Sequence, residues 1–220
     1  MTGGADIEAK DNALESTPLY LAANFNHPDS IRTLVDAYKA SINATDAYRN
    51  TSLNMAASKG HVEVVKTLLS YDRCDVNAKG RWDRTALHEA CFGGHVACIH
   101  ELMAGGALVE ARESLGEGTP LHLAANRNHP DSVKTLVDVC SASINASNKH
   151  GNTALHLAAF HGNADVVRVL LSNPQCDVTI RNRLGHTAAD DARNGRHDDI
   201  VALLEANTNG KLFQFIAFST

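Results

Sequence analysis

Apolar residues recur along this chain in two alternating patterns. In the first they sit at helical spacing beside charged positions, as in Val64, Val65, Leu68 and Leu69 or Val166, Val167, Leu170 and Leu171, which predicts an amphipathic helix. In the second, a short Leu-x-Leu-Ala-Ala run at 121–125 and 155–159 predicts a helix whose small residues let neighbours approach closely. A threonine precedes each of the short runs. Its hydroxyl can cap a helix, and the prolines at 18 and 120 suit the first helical position, where an N–H would be unpaired. Each short helix is predicted to end at a residue able to take positive φ: Gly60, Gly94 and Gly162, or Asn26 and Asn128. In the last unit Arg196 falls at that position.

The capping threonines are Thr17, Thr51, Thr85, Thr119, Thr153 and Thr187, each 34 residues after the one before. They open one recurring phrase: Thr17-Pro-Leu-Tyr-Leu-Ala-Ala, Thr119-Pro-Leu-His-Leu-Ala-Ala and Thr153-Ala-Leu-His-Leu-Ala-Ala. A single unit of this kind cannot bury its own apolar face, whereas stacked units share a continuous core. The phrase closely resembles the ankyrin repeat signature, and the resemblance covers nearly the whole chain. It implies an all-α fold, an ankyrin-repeat solenoid of helix–turn–helix units joined by β-hairpin-like loops. The boundaries expected are a partial preceding repeat over 1–16, six repeats over 17–206, and a polar linker with an apolar tail over 207–220. The tail is expected to fold over the last repeat, because an exposed apolar terminus invites aggregation; the alternative is that the chain is an excerpt of a longer array. Residues 17–46 match residues 119–148 at 21 of 30 positions, which reads as duplication of a three-unit block.

Composition narrows the function. Hydrophobic residues make up 44% of the chain and charged residues 20%, the balance of an ordinary globular protein. A net charge of −5 gives no global reason to bind nucleic acid or an acidic membrane. The first residues form no basic, apolar signal sequence, and no apolar run approaches a membrane span. Five cysteines without a Cys-x-x-Cys pair point to reduced thiols in a cytoplasmic or nuclear compartment.

Several groupings imitate chemistry. His88, Cys91, His95 and Cys98 are spaced as zinc ligands could be, yet both histidines occupy repeat-fixed positions and both cysteines take core slots filled elsewhere by Ala159 and Val166. Eight of the twelve histidines share those two repeat positions and are expected to bridge backbone groups between loops and helices. The acid pairs Asp190-Asp191 and Asp198-Asp199 are expected to be solvated. Gly116-Glu117-Gly118 lacks the later glycine or lysine of a phosphate loop and reads as a hairpin one residue longer than its neighbours. No nucleophile is set beside a base and an orienting group. No catalysis, no metal and no cofactor are expected.

The resemblance further implies a concave binding face made of hairpin tips and the exposed ends of the first helices. Carried over to this chain, the tip positions are Tyr48, Lys79, Arg81, Trp82, Arg84, Lys149 and His150. The helix-end positions are Phe92, Arg127, Phe160 and His161. Trp82 is the only tryptophan and the expected central anchor, since aromatic and arginine side chains dominate binding energy at interfaces. The alternative for these aromatics is packing against a neighbouring tip. Bases outnumber acids among these positions, so the expected partner is a protein presenting an acidic or mixed-charge segment to a monomer. Recognition of nucleic acid or a phosphorylated ligand by the same basic face is the alternative function. A salt-steep affinity that ignores Trp82 would mark it.

Overall fold

The computed structural model describes residues 6–217, with side chains described as far as Asn207. Among them lie twelve α-helices and no strand. In chain order these are α1 (Pro18–Asn24), α2 (Pro28–Asp36), α3 (Ser52–Lys59), α4 (Val62–Leu69), α5 (Ala86–Gly93), α6 (Val96–Ala104), α7 (Pro120–Asn126), α8 (Pro130–Asp138), α9 (Ala154–Phe160), α10 (Ala164–Ser172), α11 (Ala188–Gly195) and α12 (Asp198–Ala217). The loops between pairs are hairpin-like, with an isolated antiparallel bridge between Thr45 and Thr51.

The chain divides into two compact units, Met1–Leu115 and Gly116–Thr220, each holding three helix pairs. In the first unit the odd-numbered helices α1, α3 and α5 pack in one layer and α2, α4 and α6 in a second. In the second unit α7, α9 and α11 form one layer and α8, α10 and α12 the other. Within a pair the two helices touch, so every apolar stripe faces its pair-mate and the next pair. Leu53, Val64, Val65 and Leu68 are buried in the first unit, and Leu155, Val166, Val167 and Leu170 in the second. Alanines at 56, 57, 158 and 159 are sealed between the short helices, where any larger side chain would push the layers apart.

Threonine starts each short helix. In α3 the Thr51 hydroxyl accepts from Asn54 N–H while the Asn54 side chain accepts from Thr51 N–H, a reciprocal cap that satisfies two otherwise unpaired donors. The third helical residue is a histidine in α5, α7 and α9 and an aspartate in α11, and each closes the same box. The helices end as their sequences predict: Gly60, Gly94, Gly162, Asn26, Asn128 and Arg196 all have positive φ. Gly60 has a second reason to be glycine, because a Cβ there would lie 2.6 Å from the His95 ring.

Five of the eight repeat-fixed histidines bridge backbone groups in the bonds described. His61 and His95 reach the carbonyls of Asn24 and Ser58, at the end of the preceding short helix, both at 3.1 Å. His197 does the same to Phe160 in the second unit, where Asn163 replaces another such histidine and donates to Ala125 O. His122 and His156 reach forward to the carbonyls of Asn152 and His186 in the next hairpin.

Two expectations need correction. Asp190 and Asp191 are not a solvated pair. Asp190 is the reciprocal cap of Thr187, and Asp191 is buried, accepting from Asn182 Nδ2 at 3.1 Å and bonded to His186 Nδ1 at 3.1 Å. A linker after residue 206 is also not what forms, since α12 runs on to Ala217. The expected cover by the apolar tail rests on side chains after Asn207, which lie outside the described residues.

Candidate functional site

The candidate site begins in the hairpin tips. Most tips are organised by one Asp or Asn side chain. Asp46 Oδ1 accepts from the N–H groups of Tyr48 and Asn50 at 2.9 and 2.8 Å, and Asn148 and Asn182 repeat the arrangement. The tip before Thr85 has Gly80 at that position and so lacks the acceptor. Asn50 of the preceding tip supplies one instead, its Oδ1 taking the Arg81 N–H at 2.9 Å. A Cβ on residue 80 would lie 2.4 Å from that oxygen.

The Arg81–Asp83 segment answers by closing a single 3-10 turn in which Trp82 and Asp83 both adopt left-handed backbone, φ 57° and 56°. Positive φ two residues before the capping threonine recurs at Glu15, Arg49, Glu117, Gly151 and Gly185. At Trp82 it is additional, and a bulky side chain there is a strained exception. The conformation is held from outside by Ser114 N–H, which donates to Trp82 O at 2.8 Å.

That turn builds an alternating ladder of rings and guanidinium groups. Arg81 lies 4.7 Å from the Tyr48 ring and 4.0 Å from the Trp82 ring. Arg84 lies 5.0 Å from Trp82 and 4.9 Å from Phe92. All four contacts fall within cation–π range. Trp82 is 40% exposed and Tyr48 45% exposed, while Arg84 is only 9% exposed. Beside the ladder opens a cleft of about 340 Å³, bounded by Asn50, Asn54, Met55 and Ser58 on one side and by Glu89 and Phe92 on the other. Lys79 stands outside it, paired with Asp83 at 3.7 Å, and Arg49 reaches the same carboxylate at 3.4 Å.

Arg84 departs from the exposed position that its place in the hairpin implies. Its Nη1 is 4.0 Å from Glu89 Oε1, and its buried Nε has no hydrogen-bond partner. Burial pushes the Glu89 carboxyl pKa up, against the opposing pull of the Arg84 charge.

In the second unit Arg127 caps the end of α7 and is exposed. Lys149 is half-buried and His150 exposed on one tip. Phe160 and His161 end α9 with their rings edge to face at 5.2 Å, Phe160 being 50% exposed. The residues that imitate chemistry are absorbed into the framework. His88 is fully buried, with Nδ1 accepting from Thr85 N–H at 3.2 Å, and Cys91 and Cys98 are sealed in the core. Burial lifts the Cys98 thiol to about 11. Among the described residues no three His, Cys, Asp or Glu side chains converge on a metal position, and no helix is long and apolar enough to cross a membrane.

A family model described as "Ankyrin repeats (3 copies)" matches residues 1–80, 73–148 and 121–212. The chain belongs to the ankyrin repeat family. No curated protein matches it. Ankyrin repeats are protein–protein interaction modules and are typically non-catalytic.

The ankyrin frame also exposes what sequence reasoning passed over. The fourth residue after the capping threonine is Leu21, Met55, Leu123 or Leu157, but it is Glu89 in the third repeat and Asp191 in the sixth. In those two repeats the residue before the threonine can carry positive charge, Arg84 and His186. An acid in an apolar slot, matched by a basic side chain five residues earlier, was a legible signal. The two pairs differ in closeness. Asp191 meets His186 at 3.1 Å with Asn182 as a second donor, whereas Glu89 and Arg84 stand 4.0 Å apart.

Proposed function

We propose that this ankyrin repeat protein is an adaptor, or the recognition arm of a complex, and that it holds its partner on hairpin tips and first-helix ends with Trp82 as the anchor. The observation that carries this reading is the strained, half-exposed Trp82, set between two guanidinium groups beside an open cleft. Strained backbone persists where the surroundings over-determine it, and it gathers at sites of function. Large aromatics flanked by arginine are the side chains that most often dominate an interface. Tyr48, Lys79, Arg81, Arg84 and Phe92 complete the patch in the first unit. Arg127, Lys149, His150, Phe160 and His161 are the corresponding candidates in the second. As a monomeric binder in the cytoplasm or nucleus, the protein would need neither metal nor cofactor.

The test compares captured partners of the wild type with those of a Trp82→Ala, Tyr48→Ala double variant, followed by titration of the partner obtained. Truncating a central aromatic anchor typically costs 2 kcal/mol or more, so Trp82→Ala should weaken binding by about thirtyfold. Lys66→Ala on α4, whose side chain is half-exposed and salt-bridged to Glu63, is the control. A partner that tolerates Trp82→Ala but is lost with Lys66→Ala binds the outer helices, and this reading fails.

A further inference from the structure

The Arg84 side chain is nine-tenths buried, yet it is not fully used. Its Nε has no hydrogen-bond partner, and its one carboxylate neighbour, Glu89, stays 4.0 Å away. An unpaired buried donor on a charged group is costly, and native structures seldom leave one without a purpose. The equivalent pair in the sixth repeat shows that this framework can close such a gap, since Asp191 there is bonded to both His186 and Asn182. At Arg84 the gap stays open: the Trp82 and Phe92 rings flank the guanidinium carbon at 5.0 and 4.9 Å, and Nε is left without a partner. A planar guanidinium fixed by rings and short of an acceptor is well suited to bind a carboxylate through two parallel N–H groups.

Charge around the cleft favours the same ligand. Around the cleft Arg49 and Lys79 are paired with Asp83, Arg84 stands beside Glu89, and Arg81 lines the cleft with Arg84. Asp83 is already shared by Arg49 and Lys79, which leaves Arg81 at the rim and Arg84 within. A cleft of about 340 Å³ is at the small end of ligand sites and fits a side chain of a docked segment better than a folded surface.

Resting on the reading of Trp82 as anchor, we propose that the cleft is an acid-reading pocket: it takes one glutamate or aspartate side chain of an extended partner segment, whose carboxylate pairs with the Arg84 guanidinium where that side chain lines the cleft, with Arg81 at the rim. The partner residue beside that acid lies over the exposed face of Trp82. Glu89 sets the selectivity. Its charge opposes the incoming carboxylate, so a segment binds only when the acid reaches the guanidinium edge itself.

The test is a random dodecapeptide display library selected on the full chain, with the best peptide then made and titrated by fluorescence anisotropy. The expected result is an acid fixed at one position next to an apolar residue. Replacing that acid by its amide should weaken binding tenfold or more, and so should Arg84→Lys, which keeps the charge but removes the two-pronged edge. Glu89→Gln should strengthen binding several-fold. It also guards the test against an Arg84 variant that folds badly, because it leaves the arginine in place. Selected peptides without a fixed acid, or a Glu89→Gln variant that binds more weakly, overturn the pocket. If such peptides still lose binding with Trp82→Ala, the anchor stands and only the acid-reading fails. Peptides indifferent to Trp82→Ala, or a library that yields no binder, overturn both.

Discussion

At the scale of single residues, a few side chains serve local structure and long-range connection at once. His156 is the clearest. Its Nδ1 accepts from Thr153 N–H at 3.3 Å, and its Nε2 meets the His186 carbonyl at 3.1 Å, so the ring is neutral with its proton on Nε2. Protonating Nδ1 would set a donor against a donor. Burial accordingly lowers the pKa of this histidine below its ordinary 6.5, although the His186 carbonyl pulls the other way. A histidine whose folded pKa is depressed contributes stability that is fully present above its unfolded value and is lost as pH falls through that value towards the folded one. Urea midpoints should therefore be flat above about pH 7 and decline on acidification from about 6.5. In His156→Asn that decline should be shallower, because asparagine can close the same cap, as Asn54 does. An identical decline in the variant would remove His156 from the account.

At the scale of elements, the decisive piece is the turn Arg81–Asp83. Its left-handed Trp82 arises because Gly80 lacks the acceptor that orders the tips at Asp46 and Asn148. Holding an L-residue in that region costs about 1–2 kcal/mol, a cost that glycine avoids. Trp82→Gly should therefore be more stable than Trp82→Ala by about 1 kcal/mol in denaturant melts, while both lose partner binding alike. The reverse order, with alanine the more stable, would mean that the turn relaxes once the ring is gone and that no strain is stored there. The repeat frame made the place of Trp82 legible as a tip residue. It could not show the turn's conformation, which depends on an oxygen from Asn50 and an N–H from Ser114, each about thirty positions away in the chain.

At the scale of the whole molecule, each unit behaves as three helix pairs that stabilise one another through nearest neighbours. Helix α9 lies between two short helices, α7 and α11, whereas among the described residues α1 packs on one short helix, α3, besides its pair-mate α2. Leu155 and Leu19 are both sealed, at 2% and 1% exposure, but they differ in what surrounds them. Leu155→Ala should cost about 2–5 kcal/mol, as a truncated core leucine that leaves a cavity does, and Leu19→Ala should fall at the low end of that span because its surroundings can collapse more easily. Urea unfolding of the two variants gives the comparison. A larger loss at Leu19 would show that the segment before α1 supports it as firmly as a full repeat.

Local signals in the chain determined the repeat. Thr at a fixed interval, alanines where helices touch, and Gly or Asn where φ turns positive each act within one or two turns of backbone, so the residue types alone specify the helices and their ends. The absorption of His88, Cys91 and Cys98 into caps and core was likewise legible, because the neighbouring repeats show what those slots hold. Tertiary structure alone decided what happens where two repeats meet. It buried Arg84 against Glu89, took Asp191 out of solvent, and stacked Arg81 between Tyr48 and Trp82. Those outcomes depend on contacts between neighbouring repeats, as between Tyr48 and Arg81, and on low-dielectric surroundings that exist only once the helices have closed over them.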